Sequence, residues 1–218
     1  GAFMTSGTGG TSSFGRGPAA RPLRVAVVGE QQASPAAREL AYQVGRELAR
    51  RGAVVLTGGL GGVMEAASRG CHEAGGLCVG ILPGEDPGEA NDWVHLPIVT
   101  GMGHARNVVL VRSADGVIAV GGSYGTLSEI ALALKLGRPV VGLFTWELHR
   151  PGAGPREDPI LRARDAAEAV ELLWARLAPG PSALTAPTGS AGAAAPPPPS
   201  PSTGRTPTPC GCGSSSPR

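Results

Sequence analysis

Short apolar runs alternate with helix-spaced segments through the middle of this chain, and most of the runs end in or lead into glycine. "RVAVVG" (residues 24–29), "AVVLTGG" (53–59), "LCVGILP" (77–83), "LPIV" (96–99), "GVIAVGG" (116–122) and "PVVGLF" (139–144) read as strands. Apolar runs that do not alternate with polar residues are strands covered on both faces. With helices between them, they make a parallel sheet sandwiched by helical layers. The helices announce themselves by their own chemistry. Ser34 caps a segment with Pro35 at its first position, and Ala37, Leu40, Ala41, Val44 and Leu48 recur at helical spacing up to Gly52. Further helices are expected over residues 63–76, 104–114 and 126–136. A last one carries Val170, Leu173, Trp174 and Leu177, opened by an Asp165/Glu168 capping box. The expectation is an α/β three-layer sandwich with a mostly parallel sheet of six to seven strands. Its ligands belong beyond the carboxyl ends of the strands.

The remaining sequence has a different composition. Of 218 residues, 35 are Gly and 21 are Pro, and the prolines crowd toward the carboxyl end. Residues 1–22 and 181–218, the latter including "AAAPPPPSPSTGRTPTP", offer too little apolar surface to offset ordering entropy and are expected to be disordered. That leaves one folded unit over residues 23–180. Met4 is the expected start, with the three residues before it read as extraneous. A formal charge of +2 without basic stripes or acidic blocks gives no reason to expect nucleic acid or an anionic membrane as partner. No apolar stretch reaches the ~20 residues of a membrane span, so a cytoplasmic location is expected. Cys71 and Cys78 read as reduced, buried residues, and Cys210 and Cys212 as tail thiols too few for structural zinc.

Two strand–turn–helix segments carry the chemistry. "TGGLGGVMEAA" contributes Gly58, Gly59, Gly61 and Gly62; "GGSYGTLSE" contributes Gly121, Gly122, Ser123, Gly125 and Thr126. Glycine permits close backbone approach, and the free amides at a helix start attract an anion. One such turn is ordinary βα geometry; two at neighbouring strand ends predict a site for a phosphate or nucleotide. The dinucleotide fingerprint is absent, since the first strand leads into "GEQQASP", and no Gly-Lys-Ser/Thr ending makes a nucleotide-hydrolysing loop. In "GMGHARN", Arg106 has the fork of donors that grips a phosphate or carboxylate, or else pairs with Glu129 or Asp115 to tie elements together. Glu129, placed in the first turn of its helix, either complements the dipole or supports positive charge developing on a sugar during N-glycosidic cleavage. Lys135 is the one lysine in the chain and lies near a helix end, which argues against Schiff-base chemistry.

Taken together, "GGLGGVMEAASRG", "GMGHARN" and "GGSYGTLSEIALALKLGRPVV" resemble the LONELY GUY-like superfamily, once labelled lysine decarboxylases. They resemble most its branch of molybdenum-cofactor carrier proteins and their uncharacterised bacterial relatives. The resemblance covers residues 23–178. It implies a Rossmann-like fold, assembly into a homodimer or homotetramer, and a phosphorylated small-molecule ligand, nucleotide or pterin. It implies contacts of the subunit interface along residues 104–114 and 126–136.

Phosphoribohydrolases of the superfamily carry "PGGxGTxxE" and an Arg-Lys pair. By that resemblance Arg106 and Glu129 would be the catalytic pair, with Gly122, Ser123, Gly125 and Thr126 on the phosphate. Gly121 replaces the proline, Ser123 the second glycine, and Asn107 stands in place of the lysine. Three functions stay open on this reading. One is a carrier with the molybdenum cofactor as bound cargo. Another is a nucleoside 5′-monophosphate phosphoribohydrolase that requires no cofactor for hydrolysis. A third is a nucleotide sensor that recruits a partner through its proline run.

Overall fold

The computed structural model describes residues 21–149, 152 and 158–177. Seven strands form one parallel sheet in the order β4-β3-β2-β1-β5-β6-β7. They are β1 (Arg24–Gly29), β2 (Val54–Thr57), β3 (Leu77–Leu82), β4 (Leu96–Val99), β5 (Gly116–Val120), β6 (Val140–Leu143) and β7 (Leu161–Arg162). The helices are α1 (Pro35–Arg50), α2 (Val63–Glu73), α3 (Arg106–Ser113), α4 (Tyr124–Lys135) and α5 (Ala166–Leu177). The expected Rossmann-like three-layer sandwich is the observed fold. The two-residue β7 is too short to leave a pattern in the sequence.

Residue alternation along β1 shows why both faces must be apolar. Val25 and Val27 pack with α1, α2 and α5 through Val44, Leu48, Ala67 and Leu173. Ala26 and Val28 face the opposite way, toward Leu110 and Val111 of α3 and Ile130 and Ala133 of α4. Burial of this kind contributes roughly 25 cal/mol per Å² of apolar surface and is the main term holding the layers together. The chain builds outward from β1 through β2, β3 and β4. It then crosses back to lay β5 on the other side of β1, with Val25 paired to Gly116 and Gly29 to Val120. This reversal leaves a crevice at the carboxyl ends of β1 and β5, the position where open parallel sheets bind ligands.

Several helix boundaries differ from expectation. Ser34 caps α1 as foreseen, its Oγ accepting the Ala37 amide at 3.2 Å. The helix expected over 104–114 divides into a 3-10 turn, Gly103–Ala105, and α3. Glycines with positive φ at 101 and 103 (61° and 55°) delay the α-helical start to Arg106. α4 starts at Tyr124, two residues early, so Glu129 lies in its second turn and not the first. The capping box of α5 is half-formed. Asp165 accepts the Glu168 amide at 2.8 Å, but the Glu168 carboxylate turns to the Arg164 backbone and side chain instead of closing the reciprocal bond.

The opposite end of the sheet is tied by Asp115, just ahead of β5. Its carboxylate accepts two bonds from the Arg21 guanidinium (2.8 and 2.9 Å) and one from the Arg24 amide (2.9 Å). Arg21 and, further in, Arg24 hold this carboxyl well below the usual carboxylate range against the opposing effect of burial. Arg21, at the end of the segment expected to be disordered, is thus fixed to the sheet. The expectations for residues 1–20 and 178–218, including Cys210 and Cys212, lie outside the described residues.

Arg21 is largely exposed, so solvent screens much of its share; the Arg24 amide bond is the better protected part. Asp115→Asn should cost about 1–2 kcal/mol at neutral pH. Because the folded carboxyl titrates below its unfolded value, the wild-type advantage is present above the unfolded pKa and lost as pH falls through the acid range. Denaturant titrations at several pH values measure this, and a gap that persists undiminished in acid would contradict it.

Candidate functional site

The crevice is a cleft of about 340 Å³. Four strand ends contribute to it: Gly29 and Gln31 after β1, Leu60 and Met64 around the turn after β2, Pro83 after β3, and Ser123, Gly125, Thr126 and Glu129 from the turn and helix after β5. Gly103, His104, Arg106 and Asn107 close it from the start of α3. A larger depression of about 660 Å³ lies on the outer surface between α1 and α2, bordered by Arg38, Tyr42, Arg69 and Trp93. Its central groups are already engaged. Arg69 lies against the Tyr42 and Trp93 rings, and both Arg69 and Tyr42 bond Glu73.

The two glycine turns do different work. In the first, the Gly59 amide donates to Thr57 Oγ1 at 3.1 Å, and the Val63 amide donates to the Glu30 carbonyl at 3.1 Å. Asn91, from the loop between β3 and β4, bonds the Gly59 and Leu60 carbonyls. Gly58, Gly59 and Gly62 are buried and Gly61 half-buried. None of the four is among the residues lining the cleft, and the wall there is made by Leu60 and Met64. Gly58 is needed for space, since a Cβ would come within 2.1 Å of Arg106 Nη1. The second turn is open. Gly122 has φ of 122°, and a Cβ there would strike the Thr126 side chain at about 2.5 Å. The Ser123 side chain makes no capping bond, so the first amides of α4 keep their donor capacity toward the cleft. Gly121 is half-buried below this turn, its amide bonded to the Leu143 carbonyl at 2.9 Å.

Three buried polar side chains line the floor. Thr126 is 2 % exposed, and its Oγ1 has no hydrogen-bond partner. Arg106 is 8 % exposed; its Nη1 donates to the Ile81 carbonyl at 2.9 Å while its Nε is unpartnered. Glu129 is 8 % exposed. Burial, partly offset by the nearby Arg106 guanidinium, pushes its carboxyl up to about 7. Burial in turn lowers the Arg106 guanidinium from its ordinary value, with Glu129 opposing. The sequence left Arg106 to pair with Glu129 or Asp115; the second is ruled out, because Asp115 is engaged by Arg21 and Arg24 at the other end of the sheet. Orphaned buried donors are costly, of order 1–3 kcal/mol each, and mark places where a ligand supplies the missing partner. His104 is exposed on the 3-10 turn, Asn107 is half-buried, and Arg112 is exposed. Lys135 stands in the last turn of α4, as its dipole-favoured role implies.

Sequence reasoning missed Gln31, Met64, Pro83 and Asn91. Gln31 and Pro83 had a usable signal, being at the carboxyl ends of strands. Asn91 had none, because its role depends on a loop folding back over a turn 31 and 32 residues away.

A doubly wound parallel sheet with a cleft at its switch point defines the class of α/β protein. Residues 22–170 match the SLOG cluster4 family, and the chain belongs to that LOG-like family, which has a molybdenum-cofactor carrier branch. Among solved structures it resembles the molybdenum cofactor binding protein of Rippkaea orientalis (40 % identity, TM-score 0.68, covering 73 % of this chain and 100 % of that one). It also resembles the molybdenum cofactor carrier protein of Chlamydomonas reinhardtii (34 % identity, TM-score 0.60, covering 72 % and 98 %). The cytokinin riboside 5′-monophosphate phosphoribohydrolase LOG of Oryza sativa subsp. japonica is 35 % identical over 103 residues, 43 % of this chain and 40 % of that protein. The chain thus spans less than half the length of that relative.

Glu129 makes stability depend on pH. Its folded value lies above its ordinary 4.5, so the native state binds the proton more tightly. Its contribution is full below about pH 4.5 and is lost as pH rises through about 7. Glu129→Gln should therefore gain up to about 3 kcal/mol over wild type above pH 7 and little near pH 4.5. Chemical denaturation at pH 5 and pH 8 checks this; an identical difference at both would refute the buried, titrating carboxyl.

Proposed function

We propose that this chain binds a phosphorylated small molecule in the cleft and serves as a carrier of a pterin cofactor, the molybdenum cofactor being the cargo. The observation that carries this reading is the pair of buried, unpartnered donors, Thr126 Oγ1 and Arg106 Nε, on residues that line the cleft together with the uncapped start of α4. A phosphate bears several acceptor oxygens and would satisfy both donors together with the free amides. The donor set thus fits the phosphate end of such a cargo. Of the residues assigned to the anion from sequence, Ser123, Gly125 and Thr126 hold it, with Gly121 and Gly122 shaping their turn. Gly58, Gly59, Gly61 and Gly62 act by seating Arg106 and the cleft wall. Glu129, titrating near neutrality, is partly uncharged and repels the anion less than an ordinary carboxylate. Both structural neighbours named above are described as molybdenum-cofactor proteins, and the chain covers nearly all of each.

A second reading is favoured by one observation: a buried carboxyl next to a guanidinium at the floor of the same cleft. In a phosphoribohydrolase, Arg106 would position the substrate phosphate. Glu129, once ionised, would stabilise positive charge on the ribose carbon as the N-glycosidic bond breaks. Assembly into a homodimer or homotetramer belongs to either reading, with α3 and α4 presenting the contact face on which Val108 is exposed.

Two measurements decide between these readings. Titration with the molybdenum cofactor and with nucleoside 5′-monophosphates reads binding; assay of ribose 5-phosphate release reads hydrolysis. The carrier reading expects cofactor binding, no release, and at least tenfold weaker binding in Thr126→Val. That variant should also be about 1 kcal/mol more stable when unliganded, because it deletes an orphaned hydroxyl. Sustained release of ribose 5-phosphate, abolished by Glu129→Ala with binding retained, would replace the carrier by the hydrolase. Failure of every phosphorylated ligand to bind would remove both.

A further inference from the structure

Aromatic rings stand in solvent where the chain leaves β5 and β6, on a segment fixed in place. The chain has 3 Trp, 2 Tyr and 3 Phe. Three of these eight lie just beyond β5 and β6: Tyr124 at the first position of α4, and Phe144 and Trp146 in the loop after β6. Tyr124 is 80 % and Phe144 77 % exposed. Exposed rings of this size forgo the stabilisation that burying them would give. Loose loops would shed that cost by folding the rings down, but this segment is held. Trp146 Nε1 donates to the Ser123 carbonyl at 3.1 Å. Arg162 of β7 donates to the Thr145 and Trp146 carbonyls at 3.3 and 2.6 Å. The Tyr124 and Trp146 ring centroids are 5.5 Å apart at 37°. Phe144 has φ of 51°, and it is the one non-glycine residue with positive φ among the described residues. That backbone state is strained for a phenylalanine and recurs at functional sites.

The position of these rings is as telling as their exposure. Tyr124 is flanked in the chain by Ser123 and Gly125, both of which line the cleft. Trp146 is anchored on Ser123 itself. The cleft, at about 340 Å³, is near the small end of ligand pockets. A pocket of this size buries most of a ligand and leaves part of it at the mouth. We propose that Tyr124 and Phe144, backed by Trp146, form a stacking ledge that receives the planar heterocycle of the ligand whose phosphate the cleft holds. This rests on the cleft reading given above and adds to it the part of the ligand that the buried donors do not touch. Stacking of this kind accepts any flat ring, so the ledge sets the class of ligand as a phosphate ester carrying a planar heterocycle.

The test compares ring-bearing and ring-free probes on the full chain. Wild type, Tyr124→Ala and the double variant Tyr124→Ala/Phe144→Gly are titrated with the molybdenum cofactor, AMP and ribose 5-phosphate. Glycine at 144 tolerates the positive φ, so the double variant should fold at least as well as wild type. At least one ring-bearing probe should bind wild type about tenfold or more tightly than ribose 5-phosphate, and the double variant should lose that margin. Ribose 5-phosphate affinity should stay within about twofold, since the cradle is untouched. Unchanged ring affinity in the double variant overturns the ledge. So does an equal loss for all three probes, or a change in sedimentation showing that the rings are buried between subunits. If wild type binds none of the probes, the cleft reading itself falls and the ledge with it; if all three bind wild type equally, only the ledge falls.

Discussion

A buried guanidinium organises the functional end of this protein. Arg106 lies at the start of α3, yet its side chain reaches across the sheet ends to the Ile81 carbonyl of β3 and over Gly58 of the turn after β2. Placing a full positive charge there is expensive unless something compensates it. Compensation comes partly from a carbonyl and partly from Glu129 on α4, which is itself forced toward neutrality. Three strand ends and two helix starts are therefore adjusted to one side chain. The glycine at 58, the late start of α3 and the inward placement of residue 129 are answers to that single demand.

The unfilled hydrogen-bonding capacity around Arg106 has a thermodynamic meaning. A protein selected only for stability would not leave Thr126 Oγ1 and Arg106 Nε buried without partners. The cost is tolerated where a bound group repays it. Carrier and hydrolase readings share this requirement and part only over what Glu129 does afterwards. The loss of a cation where Asn107 replaces the lysine of the hydrolase pattern leaves Arg106 as the cationic side chain of the cleft floor.

Much of the fold was legible because its signals are local. Doubly covered strands read as unbroken apolar runs, and Ser34-Pro35 marks a helix start by its own chemistry. What was not legible depended on distance in the chain. β7 exists only because Leu161 and Arg162 find the edge of β6. The position of Glu129 within α4 shifted because Gly121 and Gly122 let the helix begin at Tyr124, earlier than the apolar pattern announces. The site was partly legible. Arg106, Ser123, Gly125, Thr126 and Glu129 do come together in one cleft. The first glycine turn misled, since glycine lets a backbone approach anything closely, and at Gly58 what approaches is a side chain of the same protein. Sequence reports the permission and not the visitor.

The Asp115 clamp has a geometric consequence. It fastens Arg21 and Arg24 at the amino ends of β1 and β5, so the polypeptide joins the sheet on the side facing away from the cleft. A label or surface attachment made at position 22, between the two clamped arginines, is therefore held at the pole opposite the cleft. The mouth stays clear while the protein is immobilised there.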